Sequence, residues 1–316
     1  MAKAYGAGTG KRKDSLGRTI ARDYQRNHGV YLLAVLPILY YIIFRYIPMA
    51  GVVIAFKRFS RGLGVWGSPW VGFENFTSFF NSYYFDRLVG NTLLLSVFNL
   101  LWGFPIPIIF AILLNELRGS GFKRVVQTVT YMPHFVSLVV ICGIIVNFVS
   151  QNGLITSLLG YLGFPKTNLL MHSGYFRTIY IASDLWQEMG WNSIIYLAAI
   201  TGLDQEIFDA ATVDGAGRFR KVVNIIIPGI LPTVIILLIL RVGNLMNVGF
   251  EKIILLQNPS IYDTSDVISS FVYRKGIIQA DYSYSTAIGL FNSVINLVLL
   301  TATNWISKKV NDVSLW

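Results

Sequence analysis

Residues 209–232 read DAATVDGAGRFRKVVNIIIPGILP. Acids, bases, three glycines and two prolines are packed into this stretch, and long apolar runs flank it on both sides. DQEIFDAATV (204–213) has the composition of a short helix, with acids near its start where the positive end of the helix dipole favours them. Asp214-Gly215 is a turn signal, and AGRFRKVVNIII forms a second helix running to Pro228. Phe208, Ala210, Ala211 and Phe219 give this helix–turn–helix an apolar face; Arg218, Arg220 and Lys221 give it a charged one. Two readings stand at this point. The loop docks into a partner, or it merely links the apolar segments on either side.

Those flanks define the class. Of 316 residues 54% are hydrophobic and only 13% charged, where a soluble domain carries about a quarter charged. Such a chain cannot cover its surface with polar groups, so it needs lipid as a solvent. Six apolar segments each exceed the roughly 20 residues that span a bilayer: about 29–56, 89–115, 123–149, 178–202, 226–248 and 284–306. An all-α polytopic membrane protein with six transmembrane helices follows. The first segment is too long for a cleaved signal peptide, and no small-residue cleavage site follows it. Pro37, Pro48, Pro105, Pro107, Pro133, Pro228 and Pro232 fall in or beside the segments, where each removes a backbone donor and favours a kink.

The net charge of +10 does not point to nucleic acid, because the basic residues collect at the edges of apolar runs. The N-terminal tail, 116–124, 203–225 and the C-terminal tail hold fifteen Lys and Arg; 57–88, 150–177 and 249–283 hold nine over a greater length. Both termini are therefore expected in the cytoplasm, together with the opening stretch. This divides the chain into a basic tail (1–27), a transmembrane domain (28–306) containing the cytoplasmic loop 203–228, and a short tail (307–316). Within the first tail, GAGTGKRK fails as a phosphate loop, since Tyr5 and Arg12 stand where Gly and Ser or Thr are required. It reads as a flexible basic tail. On the opposite side, GVWGSPWVGFENFTSFF (64–80) is aromatic enough to lie along the membrane interface. The single cysteine, Cys142, and the scattered His28, His134 and His172 offer no disulfide and no metal site.

Charges inside spans are costly and face a cavity or a partner. Arg45 lies near the end of its span and can snorkel. Asp184 and Glu188 are one helical turn apart, with Trp191 three residues on and Trp186 and Asn192 nearby. Carboxylates, amides and aromatic rings on one face suit a saccharide path. Arg241, Asn244 and Asn247 follow at three-residue spacing in the fifth segment. Arg241 either contacts an acidic sugar through its fork of donors or pairs with Asp184 or Glu188. Tyr131, His134, Asn292 and Asn296 are weaker candidates, and the two asparagines equally suit helix-to-helix bonding. Asp184 and Glu188 do not make a glycosidase pair, because nothing around them forms a large polar cleft for a sugar chain in water.

Asp209-Ala210-Ala211, three residues, Gly215, nine residues, then Ile225-Ile226-Ile227-Pro228 resembles the Glu-Ala-Ala…Gly…Ile-x-Leu-Pro loop of permease subunits in binding-protein-dependent ABC importers. Asp replaces Glu at 209 and Ile replaces Leu at 227. YIPMAGVVIAFKRFS, GVWGSPWVGFENF, NTLLLSVFNLLWGFPIPIIFAILLNEL and FKRVVQTVTYMPHFVS are similar to the maltose-permease-type, carbohydrate branch and to LplB-type polysaccharide and oligosaccharide permeases. The likeness covers nearly the whole chain after residue 27. The resemblance implies the type I importer permease fold and import by alternating access, with no catalysis in this chain. It implies that Asp209, Ala210, Ala211, Asp214, Gly215, Gly217, Arg218, Phe219 and Pro228 form the coupling element seated in an ATPase cleft. The partners implied are a second, different permease chain, two ATP-binding cassette subunits carrying ATP and Mg, and an extracytoplasmic solute-binding protein. A permease for a peptide or an ion shares that loop; a membrane scaffold or channel without an ATPase does not need it.

Overall fold

The computed structural model describes residues 16–117, 119–311 and 313–315. These are almost entirely helical, and the β pairing among the described residues is an isolated bridge between Lys57 and Trp70. The chain divides into two compact units, Met1–Val53 and Ile54–Trp316.

In the first unit a helix runs Leu16–Tyr41 with non-helical backbone at Asn27. Residues 16–26, read as part of a flexible tail, are thus helical, while GAGTGKRK lies outside the described residues. A π turn at Ile42–Tyr46 follows, closed by the Ile47 N–H on the Ile42 carbonyl. Pro48 explains it: proline has no N–H, and widening one turn lets the chain continue helically past the gap. Leu32, Leu33, Leu36 and Phe44 are exposed, as side chains facing lipid are.

The centre of the second unit is the helix Ser173–Thr201, whose 29 residues extend about 43 Å at 1.5 Å each. It packs on Phe85–Gly103, Pro105–Glu116 and Ser120–Phe135, and buries Phe176, Tyr180, Gln187, Gly190, Ser193 and Ile200 among others. Gly190 meets the backbone of Thr130, where an added Cβ would clash with the carbonyl. Among the described residues five helical segments are long and apolar enough to cross a membrane: Arg26–Phe56, Phe85–Glu116, Leu138–Tyr161, Arg218–Gly243 and Tyr282–Val310. Ser173–Thr201 has the length but carries Arg177, Asp184 and Glu188. A helix with its polar residues turned into a bundle need not be apolar throughout.

Three boundaries differ from the sequence reading. The third segment is not one helix: Ser120–Phe135 and Leu138–Val149 meet at extended backbone at Val136 and Ser137. Ser137 caps the second helix by accepting from the Val140 N–H, so the break is a built helix start after Pro133. The helix after Gly217 does not stop at Pro228. A π turn at Val222–Ile226, closed by the Ile227 N–H on the Val222 carbonyl, carries it through to Gly243. Beyond Gly243 the expected fifth span unwinds, and residues 244–249 are turn and coil.

The 249–283 region, read as an outer loop, folds into the core as short helices Phe250–Leu256, Tyr262–Ser265 and Ile268–Tyr273. Ile253, Leu256, Ile261 and Val267 join the cluster of Leu95, Ile141, Phe176 and Tyr180. Fully buried Asp266 ties the region down: its Oδ2 accepts from Arg274 at 2.6 Å and Arg87 at 3.1 Å, and its Oδ1 from Ser270 at 2.9 Å. Burial opposes the Arg274 charge, but the hydrogen bond and negative charge of Asp266 raise its pKa above the ordinary guanidinium value.

Candidate functional site

Five elements converge on one open cavity of about 590 Å³, the start of Leu138–Val149 contributing Leu138 and the other four the polar lining. Phe85–Gly103 contributes Leu95, Ser96 and Asn99; Ser173–Thr201 contributes Tyr180, Asp184, Gln187, Glu188 and Asn192. The end of Ile227–Gly243 and the coil after it contribute Arg241, Asn244, Leu245, Asn247, Val248 and Gly249. Phe250–Leu256 supplies Glu251 and Lys252. Periodicity explains the second set: 180, 184, 187, 188 and 192 share one helix face.

The polar groups are paired in an ordered way. Asp184 Oδ2 accepts from Asn99 Nδ2 at 2.9 Å, and Asp184 Oδ1 accepts from Lys252 Nζ at 3.3 Å. Lys252 is 4% exposed and lies over the Tyr180 ring at 5.2 Å. Asn99 Oδ1 accepts in turn from Arg241 Nη2. The unwound segment is held by side chains from neighbours: Ser96 donates to the Leu245 carbonyl, Asn296 Oδ1 accepts the Met246 N–H at 3.0 Å, and Asn292 Nδ2 donates to Asn247 Oδ1 at 2.9 Å. Irregular backbone at membrane depth is tolerated where it lines a cavity and is satisfied in this manner.

Asp184, Glu188, Asn192, Arg241, Asn244 and Asn247 all line this one cavity, Asn244 and Asn247 from the unwound segment and not from a helix face. The aromatic candidates do not line it. Trp186 is 49% exposed on another face of its helix. Trp191 stacks on His134, rings 4.4 Å apart and 5° from parallel, and His134 Nδ1 lies 2.9 Å from Glu188 Oε2. Tyr131 sits half-buried away from the lining. Arg241 forms no ion pair with Asp184 or Glu188 among the described residues; Asn99 stands between it and Asp184. Asn292 and Asn296 bond helices and coil together. Asn99, Gln187 and Lys252 were missed: the first two sit unremarked among span residues, and Lys252 lies in sequence assigned to an outer loop.

The loop of 203–228 lies within the same unit. Asp204 caps the helix Gln205–Val213 by accepting from the Glu206 N–H at 2.9 Å. The helix ends with the Ala216 N–H on the Ala211 carbonyl (2.8 Å) and the Gly215 N–H on the Thr212 carbonyl (3.1 Å), with Gly215 at φ +73°. That is the glycine-dependent double closure of a helix C-terminus. Gly217 precedes Arg218–Lys221, and Lys221 Nζ reaches back to Thr212 Oγ1 at 2.6 Å. Asp209, Ala210, Asp214, Arg218 and Phe219 are exposed, Ala211 partly so, and Pro228 lies along the continuing helix. Phe208 turns inward onto the cluster of Leu114, Tyr196 and Ile200. A second cavity of about 640 Å³, lined by Glu116, Gln205, Phe208, Arg218 and Lys221 among others, opens at the base of the loop.

A bundle of membrane-length helices around a polar cavity, with an ordered loop presenting exposed apolar and charged side chains, defines a membrane transport subunit. The chain belongs to the family of binding-protein-dependent transport system inner membrane components, whose model matches residues 89–312. It is 44% identical to Protein LplB of Bacillus subtilis (strain 168), over 92% of each chain. It is 39% identical to the polygalacturonan/rhamnogalacturonan transport system permease protein YteP of the same organism, over 97% of this chain and 94% of that one. Among solved structures it is similar to a chain from a bacterial ABC transporter involved in import of the acidic polysaccharide alginate, with 39% identity, a TM-score of 0.86, and coverage of 93% of this chain and 99% of that one. A second structure of a bacterial alginate ABC transporter, in complex with an alginate pentasaccharide-bound periplasmic protein, matches with a TM-score of 0.86 and 38% identity over 96% of this chain and all of that one. The fold is thus the type I ABC importer permease fold. The chain is a multi-pass permease subunit of the cytoplasmic membrane that works with other subunits, and ATP hydrolysis belongs to separate ATPase subunits.

Proposed function

We propose that this permease carries an oligosaccharide or polysaccharide fragment inward by alternating access, with the cavity at Asp184 and Arg241 as part of its path. The observation that carries this reading is the cavity itself: about 590 Å³ lined with carboxylate, guanidinium and amide groups inside a membrane bundle. Sugars are bound by such groups. The names of YteP and of the alginate importer support the saccharide class. In this proposal there are six spans, Ser173–Thr201 being the fourth, and both termini are cytoplasmic. A second permease chain completes the path, and an extracytoplasmic binding protein delivers the sugar. Two ATP-binding subunits, carrying ATP and Mg, dock at Asp209, Ala210, Ala211, Asp214, Gly215, Gly217, Arg218 and Phe219. The π turn before Pro228 then passes their motion into the span.

The test is ATP hydrolysis by the purified assembly in proteoliposomes, with its binding protein and a panel of oligosaccharides, peptides and ions. Stimulation by at least one saccharide and by no peptide or ion is expected. Stimulation confined to a peptide or ion overturns the substrate class, and absence of any co-purifying ATPase overturns the importer reading.

A further inference from the structure

We infer that Arg241 selects for a sugar bearing a carboxylate, such as a uronate, and that Asp184 and Asn99 are positioning residues that aim Arg241 without binding sugar themselves. This rests on the saccharide reading above. Two relatives are named for transport of acidic polymers or their fragments, but names identify no residue; the pairing in the cavity does.

The lining does not attract an anion by its sum. It holds three carboxylates, Asp184, Glu188 and Glu251, against two cations, Arg241 and Lys252. Selection has to come from which groups are already engaged. Each Asp184 oxygen already accepts a hydrogen bond from the protein, one from Asn99 and one from Lys252. Lys252 is buried between that carboxylate and the Tyr180 ring, so its charge is spent inside the protein. Glu188 is held by His134. Glu251 is exposed and lies in no ion pair with Arg241 among the described residues. Among the described residues Arg241 is thus the cavity cation without a carboxylate partner.

Its orientation is fixed by chemistry rather than by charge. An ionised carboxylate only accepts, so Asn99 must turn its amide N–H toward Asp184 and its carbonyl oxygen toward Arg241. Reversing the amide would place N–H donors against the guanidinium and oxygen against oxygen. Asp184 therefore sets the rotamer of Asn99, and Asn99 holds one edge of Arg241. A guanidinium has five N–H donors. One goes to Asn99, and the exposed remainder present the fork that a carboxylate accepts in a bidentate manner. A hydroxyl or an ester cannot match both prongs.

The experiment measures binding to the purified assembly by calorimetry, without binding protein, using trigalacturonate and its trimethyl ester as probes. The wild type is expected to bind the acid about tenfold or more tightly than the ester, the scale of a charged hydrogen-bonded pair. Arg241→Gln should bring that ratio to about one while the ester affinity holds within about twofold. Asp184→Asn should lower the ratio likewise and spare the ester; Asn99→Ala reads the same relay if Asp184→Asn does not assemble. Equal binding of both probes by the wild type overturns charge selection and leaves the saccharide reading standing. Failure to bind either probe overturns charge selection at Arg241, while the saccharide reading stands or falls with the hydrolysis panel above. Equal weakening of acid and ester by Asp184→Asn makes Asp184 a sugar ligand and overturns its positioning role.

Discussion

Gly215 shows what one residue contributes to the loop. At φ +73° an L side chain is strained, by about 1–2 kcal/mol. Yet a Cβ built there meets nothing within 4 Å, so the demand is conformational and not steric. Gly215→Val is expected to open the helix end, lowering sugar-stimulated ATP hydrolysis while the protein still inserts and assembles into the membrane. Gly215→Asn should retain most activity, because Asn tolerates left-handed backbone. Equal activity of the Val variant and wild type in reconstituted assemblies would contradict this. The glycine was legible because Asp-Gly is a local signal with a local cause. Asp184 and Glu188 were legible for the same reason, being one turn apart on a single helix. Asn99 and Lys252 were not. Neither has a sequence neighbour that reveals its role, and their partners lie 85 and 68 positions away. Trp186 and Trp191 do not line the cavity, because aromatic character near carboxylates does not say which way a ring points.

At the scale of elements, close approach decides more than pattern. Gly190 lets Ser173–Thr201 run against the backbone of Ser120–Phe135. Gly190→Ala should cost about 1–3 kcal/mol, the usual penalty for overpacking. It should also separate His134 from Glu188, so thermal unfolding in detergent and the pairing seen in a variant structure both report it. Unchanged stability would mean the helices have room that the structure denies them. Asp266→Ala should be more severe, about 3–5 kcal/mol, because it strands two guanidiniums in a buried setting. Removing the exposed Arg58–Glu74 pair should cost at most about 1 kcal/mol. The prolines mark where sequence reading ran out. Pro48 and Pro228 each follow a π turn that absorbs the missing donor, whereas Pro133 lies just before a true break. Each proline removes the same hydrogen bond, and the surrounding packing decides whether the helix rewinds or restarts.

Across the whole molecule, composition alone demanded lipid, and the shortage of charge led directly to a helical membrane bundle. Residues 178–202 count as an apolar segment in the sequence, yet Ser173–Thr201 is not among the five described helices apolar enough to cross a membrane, because it carries polar residues that line the cavity. The same contrast between inward and outward residues separates folding from assembly in the loop. Phe208 is packed into the cluster of Leu114, Tyr196 and Ile200, whereas Phe219, eleven positions on, is 82% exposed. An exposed aromatic at the tip of an ordered loop adds little to the fold of its own chain, and surface substitutions usually change stability by less than about 0.5 kcal/mol. Phe219→Ser should leave the melting temperature of the isolated permease unchanged yet reduce the ATPase subunit recovered with it, since a buried aromatic anchor is worth about 2 kcal/mol or more to an interface. Phe208→Ala should do the reverse in order of events, lowering the melting temperature first by about 2 kcal/mol of lost packing and weakening capture only as a consequence. Paired measurement of melting and ATPase recovery in both variants distinguishes the two. If Phe219→Ser destabilises the isolated chain as much as Phe208→Ala does, the loop tip is part of the fold and not the surface on which an ATPase docks.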